Sequence, residues 1–408
     1  MKGTRNSLHA MIGEIVPKGQ VRRRIFQHLL VAFLTLPRRV NFTQLAGLGF
    51  HHDSTYHDWF SRDLGIKTFN MDLIQRHGSG DYYVIFDPSF LPKSGKKTPH
   101  LGWFWSGSAK SAKRGLEIGG FAVCDLGHHT AFHLDAALTP APPELKKENR
   151  TLVEHYVLEV GKNREAIARF GNKLAVDGYF GIQTFVAPVV AMGIELVSRL
   201  RANAVVFYPP NLPAKRGPGR PPKKGGRIDW QNIDEDRLPI VFLDDEKRVR
   251  SGLAYVKALK RMVLLLVVEF LRPDGSVAAR KLLFSTNPLA DPLQTLQTYG
   301  GRFQIEFLFR DAKQFTGLSH CQSRDKTKLE NHINLSLTAV SVANIAHHLN
   351  DQLETKQPFS MNQIKEYYHI EYLLDRFSVA LGLNPIETKN NPRIKSLLFS
   401  MNPEAIAA

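Results

Sequence analysis

The sequence predicts an α/β protein: a mixed sheet with flanking helices, interrupted by a β-rich insertion and preceded by an all-α domain. Three observations carry that expectation. Between residues 82 and 200 the apolar patterning reads in order as three strands, a helix, a strand, a helix and a strand. Two of the strands run straight into an aspartate, Asp87 and Asp177, at the carboxyl end where open α/β sheets place their ligands. The stretch 299–313 reads as one amphipathic helix whose charge gathers on one side.

The chain has 408 residues, enough for two or three domains, and its 43% apolar and 23% charged content are those of a globular protein. Its formal net charge of +16 favours an acidic partner, most simply nucleic acid. The longest apolar runs, Ile25 to Leu36 and Met262 to Val268, are too short to span a bilayer. Met1 to Gly19 is polar and mixed, unlike a secretory signal. Two cysteines, Cys124 and Cys321, make no disulfide framework, so a reducing cytoplasm is expected.

Residues 1–78 read as helical. Val21 to Leu36 forms a helix stopped by Pro37, Phe42 to Leu48 a short one, and Asp53 or Ser54 caps another through Leu64. Either this is a helix-turn-helix with Tyr56, His57, Trp59 and Arg62 facing a groove, or a helical hairpin whose aromatics are core. Tyr82 to Phe86 is a buried strand, ended by Asp87 and Pro88; the alternative for Asp87 is a turn-initiating Asp-Pro. From Pro88 to Leu116 there is no acid, while Lys93, Lys96, Lys97, Lys110, Lys113 and Arg114 are basic and Trp103, Phe104 and Trp105 interrupt them. That interleaving, in a segment kept flexible by glycine and serine, suits a DNA backbone and an unstacked base.

Strands near Ile118 to Cys124 and Ala131 to Leu138 follow, with Asp125 in their turn and Asp135 structural. Glu148 to Phe170 is a helix closed by Gly171. The strand from Lys173 ends in Asp177, and Gly178 allows a tight exit into the helix Gln183 to Met192. A turn aspartate is again the alternative. Residues 203–296 interrupt the pattern with strand-like runs at Pro239 to Leu243, Met262 to Phe270 and Lys281 to Ser285, and a hairpin turn at Arg272 to Gly275. Within them Lys215 to Arg227 carries six basic residues, among them Arg216, Arg220, Lys223 and Lys224, and no acid. It reads first as a basic linker; its Pro-Gly-Arg-Pro core also resembles an AT-hook for the minor groove.

On a helical wheel Tyr299, Arg302, Glu306 and Lys313 fall within an arc of roughly 60°, with Arg310 beside them, opposite Ile305, Leu308, Ala312 and Phe315. One acid among cations and a phenol suits a polyanion and a metal ion handled together. Tyr, Arg after two residues, Glu after three more and Lys after six more resembles the signature of a group of bacterial insertion-sequence transposases. Phe86-Asp-Pro-Ser-Phe-Leu-Pro-Lys-Ser-Gly95 and Asp177-Gly-Tyr-Phe180 resemble that group's first and second aspartate regions.

The resemblance implies a DDE triad of Asp87, Asp177 and Glu306 on a ribonuclease H-like core, whose element order matches the reading of residues 82–200. It implies Mg²⁺ or Mn²⁺, two ions, held by hard carboxylate oxygens, with no organic cofactor and no membrane. Tyr299 and Arg302 are expected at the backbone of a cleaved DNA end, with Lys313, Arg310, Lys93, Lys96, Lys97 and the arm as further phosphate contacts. The expected organisation is a helical DNA-binding domain at 1–78, the catalytic core at 79–202 and 297–350, the β-rich insertion at 203–296 with its arm at 215–227, and a helical tail at 351–408. Substrates would be double-stranded terminal inverted repeats and target DNA, gripped by a homodimer at the nucleoid of the cytoplasm. A binding protein derived from a transposase, without cleavage, and a related endonuclease without strand transfer are the rival readings.

Overall fold

The computed structural model describes residues 11–16, 21–37, 39–210, 222–351 and 358–394. Its centre is a mixed sheet of eleven strands. The strands are β1 Tyr82–Pro92, β2 Gly102–Ser106, β3 Ser111–Asp125, β4 Thr130–Leu138, β5 Lys173–Ala175 and β6 Glu195–Arg199. They continue as β7 Val206–Phe207, β8 Ile240–Leu243, β9 Lys247–Val256, β10 Arg261–Leu271 and β11 Val277–Ser285. The middle of the sheet runs β4-β3-β1-β5-β6, antiparallel from β4 to β1 and parallel from β1 to β6. Tyr83, Val84, Ile85 and Phe86 are buried, as a strand covered on both faces requires.

β1 is longer than its sequence suggests. It does not end at Asp87 but continues through Pro88 to Pro92, because β3 pairs it the whole way, from Tyr82 opposite Asp125 to Pro92 opposite Gly115. β5 pairs with β1 only at Val84 and Ile85, so Pro88 removes no ladder bond on that side. The segment 88–116, expected to be flexible, is therefore largely strand, and β2 forms a hairpin with the start of β3. The single helix expected at 148–170 is broken into Pro142–Lys147, Leu152–Lys162 and Arg164–Arg169, the middle piece opened by a Thr151–Glu154 capping box.

The strands between residues 203 and 296 form no sheet of their own. β11 pairs antiparallel with β6, so β11, β10 and β9 extend the same sheet. β9, Lys-Arg-Val-Arg-Ser-Gly-Leu-Ala-Tyr-Val, has too many charges to read as a strand from its own sequence. Its partner explains them. Glu269 in apolar β10 lies in register with Arg248 on β9 and Arg280 on β11, and accepts from Arg248 Nε at 2.7 Å and Arg280 Nη2 at 2.7 Å. Arg250 Nε stands 3.5 Å from the same carboxylate. The extension also makes a second small core of Val249, Leu264, Leu266, Val268 and Leu283, on which Leu296 and Tyr299 pack.

One long helix, Lys326–Asp351, ties the layers together by packing on β4, on the helix Gln304–Gln314 and on the helices Val21–Thr35, Asp53–Ser61, Ile66–His77 and Met361–Ala380. It is buried along most of its length, and several of its polar groups are paired: Asn334 with His133 and the backbone of Ala136, Thr338 with Asn70. In the N-terminal helices Tyr56 is buried and hydrogen-bonded to His28 at 2.7 Å, and Trp59 meets His28, His51 and Tyr56 edge-on. Tyr56 thus packs inward rather than facing a groove. Among the described residues no helix is long and apolar enough to cross a membrane.

Burial raises the Glu269 carboxyl, but hydrogen bonds from Arg280 and Arg248 outweigh it and hold the group below its ordinary value. Its stabilising contribution is therefore present above the ordinary glutamate range and is lost as pH falls through the depressed value. Glu269→Leu should cost about 3–5 kcal/mol, because it strands buried arginine charge. Urea denaturation of the two proteins checks this; a loss under about 1 kcal/mol would mean that the arginines find other partners.

Candidate active site

Asp87 and Asp177 are brought together by strand register. Ile85 and Ala175 face each other across the parallel β1–β5 pair, and each aspartate lies two residues beyond that rung. Asp87 stays in β1. Asp177 leaves β5, and its Oδ1 accepts from the Tyr179 amide at 2.6 Å, capping the turn Gly178–Phe180. Ser198 on β6 donates to the Asp177 carbonyl at 2.8 Å and fixes the exit of the chain. Asp177 is thus both a turn residue, as the alternative reading had it, and a neighbour of Asp87.

The signature stretch is not one helix. Pro292–Gly301 and Gln304–Gln314 are separate, joined by a turn at Arg302 and Phe303. The consecutive glycines 300 and 301 weaken the helix there, and Gly301 is needed for contact: a β-carbon on it would stand 2.2 Å from the Tyr83 hydroxyl. Tyr299 therefore belongs to the first helix, while Glu306 and Lys313 belong to the second. The expected faces of the second helix hold, with Ile305, Leu308 and Ala312 buried and Glu306 55% exposed at its side chain. Phe309 adds a buried contact by lying over Gly120, the residue opposite Asp87 on β3, where a β-carbon would come within 2.6 Å of the ring. The missing side chain at Gly120 lets the helix settle directly beside Asp87.

Arg302, 15% exposed, joins the acids. Its Nη2 donates to Glu306 Oε1 at 3.0 Å, and its Nη1 stands 3.6 Å from Asp87 Oδ1. Lys313 Nζ donates to Ser89 Oγ at 2.9 Å, one pleat beyond Asp87. Burial pushes the Asp87 carboxyl up to about 7; Asp177 and Glu306 push the same way, and Arg302 and Lys313 oppose them. Burial lowers the Lys313 ammonium and raises the Tyr299 phenol, which feels Arg199, Arg302 and Asp177. Two neighbours carry no sequence signal of their own: Ser89, buried under Lys313, and Arg199, whose side chain lies over Gly178 at the end of β6. Among the described residues no three His, Cys, Asp or Glu side chains already form a metal-binding group.

The remaining candidates lie apart from this cluster. Lys93 donates to the Cys321 carbonyl and is tied down, whereas Lys96 and Lys97 are exposed in the loop after β1. Arg310 is exposed, paired with Asp311 at 2.9 Å and lying over the Phe307 ring. Lys223 and Lys224 are exposed, with Lys224 Nζ 4.0 Å above the Phe207 ring. Arg216 and Arg220 lie outside the described residues, as does most of the basic arm.

The Asp87 shift has a measurable sign. Between about pH 4, where an unfolded aspartate titrates, and about 7, where this one does, the native state holds one proton more. Stability contributed by this group therefore falls as pH rises through that window. In chelator, Asp87→Asn should melt at a higher temperature than wild type at pH 8, with the gap much smaller at pH 5. A gap equal at both pH values would show that Asp87 titrates as an ordinary carboxylate.

No curated protein matches the chain. A family model described as the transposase DDE domain matches residues 79–342, from just before β1 into the helix Lys326–Asp351. The large mixed sheet with flanking helices is consistent with the ribonuclease H-like fold of such domains. The match covers well over half of the sequence and includes both aspartates and the signature helix, and the chain belongs to the transposase DDE domain family.

Proposed function

We propose that this transposase carries out metal-dependent cut-and-paste transposition of an insertion sequence, with Asp87, Asp177 and Glu306 as its acids. It binds terminal inverted repeats, cleaves at the element ends and joins the freed 3′-hydroxyl to target DNA. The observation that carries the reading is the meeting of Asp87, in register with Asp177, with Glu306 through one guanidinium. The spacing of Tyr299, Arg302, Glu306 and Lys313 supports placing the chain in the insertion-sequence group.

DDE transposases generally use divalent metal ions, and the donors here fit Mg²⁺ or Mn²⁺: three carboxylates with hard oxygens, one of them pushed up to about 7 by burial. Asp87, Asp177 and Glu306 would hold them. Such ions, when bound, offset phosphate charge and make water a better nucleophile at neutral pH. The protein's own groups do the rest. The Asp87–Asp177 register sets where the scissile phosphate lies, Lys313 and Arg302 hold backbone phosphates on either side, and Tyr299 positions the cleaved end beside Arg302. The exposed apolar side chains Leu373, Phe377, Val379, Leu381, Leu383 and Ile386 support a second copy as the partner that pairs two ends.

The test is cleavage of DNA carrying the gene's own flanking ends, comparing wild type with Glu306→Gln in Mg²⁺ or Mn²⁺. Wild type should cut at the ends, while the variant binds but loses at least about 100-fold in rate, as loss of a group acting in the transition state does. Binding by both with cleavage by neither would favour a transposase-derived binding protein. Equal cleavage would remove Glu306 from the mechanism.

A further inference from the structure

We propose that the β2–β3 hairpin is a second DNA contact, which takes one unpaired base between Trp103 and Trp105 and grips the adjoining backbone with Lys110, Lys113 and Arg114. It rests on the reading that DNA is the substrate, and goes beyond it by naming a site for an unpaired nucleotide.

The hairpin pairs Gly102–Ser106 with Ser111–Gly115, setting Trp103 opposite Arg114 and Trp105 opposite Ala112. Alternation sends Phe104 and Ser106 inward, each 4% exposed, and leaves both indoles 64% exposed on the other face. An exposed indole forgoes the stabilisation that burial gives a large apolar side chain. Two of them side by side, neither in a ring contact among the described residues, form a patch that folding alone does not explain. Two residues apart on one strand, the indoles rise about 7 Å from each other. A stacked base occupies about 3.4 Å, so that gap holds one base with an aromatic face on either side.

Charge decides between a nucleic acid and a protein as the occupant. Lys110, Lys113 and Arg114 are exposed, and among the described residues none of them forms an ion pair. There is no acid from Pro88 to Leu116, so the hairpin's own charges are all positive, and Glu144 near its base is paired with His100. A protein partner would need an acidic, aromatic-binding surface, whereas a DNA strand supplies phosphates and π-faces at once. The place also fits. The Trp103–Arg114 rung is six residues beyond the Asp87–Gly120 rung on the same sheet. That is about 20 Å along the strand, or about six nucleotide steps of duplex. DNA held at Asp87 is within reach of the hairpin.

The test uses the full-length protein and two labelled probes, a twenty-nucleotide oligo(dT) and a fully paired duplex, with fluorescence anisotropy and intrinsic tryptophan quenching. Trp103→Leu/Trp105→Leu should weaken oligo(dT) binding by about 30-fold and abolish most of the quenching, since stacking dominates such contacts. Trp103→Phe/Trp105→Phe, which keeps aromatic faces, should retain most of the affinity. Lys113→Gln/Arg114→Gln should reduce the salt slope of oligo(dT) binding by about one to two. Unchanged oligo(dT) affinity in the leucine pair, with duplex binding intact, overturns the hairpin site and leaves the transposase reading standing. A wild-type protein that binds neither probe overturns both. A leucine pair that keeps its oligo(dT) affinity but changes its sedimentation without DNA makes the indoles a contact between copies of the chain, which also overturns the proposal.

Discussion

The site depends on one constraint, a carboxylate placed on the central strand of a sheet covered on both faces. Asp87 lies where water is scarce, and burial drives its titration up to about 7. Two cations answer that cost. Arg302 reaches it at 3.6 Å while holding Glu306 at 3.0 Å, and Lys313 is anchored one pleat away on Ser89. Without β3 pairing past Asp87 the strand would end there and the acid would lie in solvent, free of both its cost and its neighbours.

The rest of the architecture can be read as support for that arrangement. Gly120 and Gly301 are the two points where backbone must be bare, so that Phe309 and Tyr83 can bring the signature helices down onto β1 and β3. The strands β9, β10 and β11 continue the sheet past β6 and give Tyr299 and Leu296 a second core to rest on. A long excursion between Asp177 and Glu306 thus returns the chain to the sheet at the right height, and the Glu269 cluster holds the outer strands together.

Much of this was legible in the sequence. The alternation of apolar runs and helices gave the order of the central strands, and aspartates at the ends of two such runs pointed to one end of one sheet. What was not legible is pairing. Nothing in Asp87-Pro88 says that β3 will carry the strand five residues further, and a helical wheel cannot see that Gly300 and Gly301 break one helix into two. The arginines of β9 are matched by Glu269 on β10, which its own sequence does not show. Arg199 enters the site because β6 pairs with β5, and Ser89 because β3 carries β1 past Asp87, which no local pattern encodes. The aromatics of the N-terminal helices illustrate the reverse: Tyr56 and Trp59 lie on a helix where a groove-facing residue would, yet His28 and His51 enclose them.

The electrostatics of the cluster suggest why such a site suits a polyanion even though it is built from acids. Three carboxylates would repel a phosphate, and the chain's net charge of +16 draws DNA to the surface without curing that local repulsion. Locally Arg302 and Lys313 offset the charge at Asp87. Burial outweighs that offset and pushes the Asp87 carboxyl up to about 7. A proton, a guanidinium and a divalent ion are then three ways of meeting the same deficit. Of these the divalent ion meets it most fully, since it carries two charges and binds carboxylate and phosphate oxygens together. A guanidinium released from Asp87 is in turn free to take a phosphate. The burial of Asp87 beside only partial counter-charge therefore leaves a deficit that a divalent ion, bound between carboxylates and phosphate, would meet.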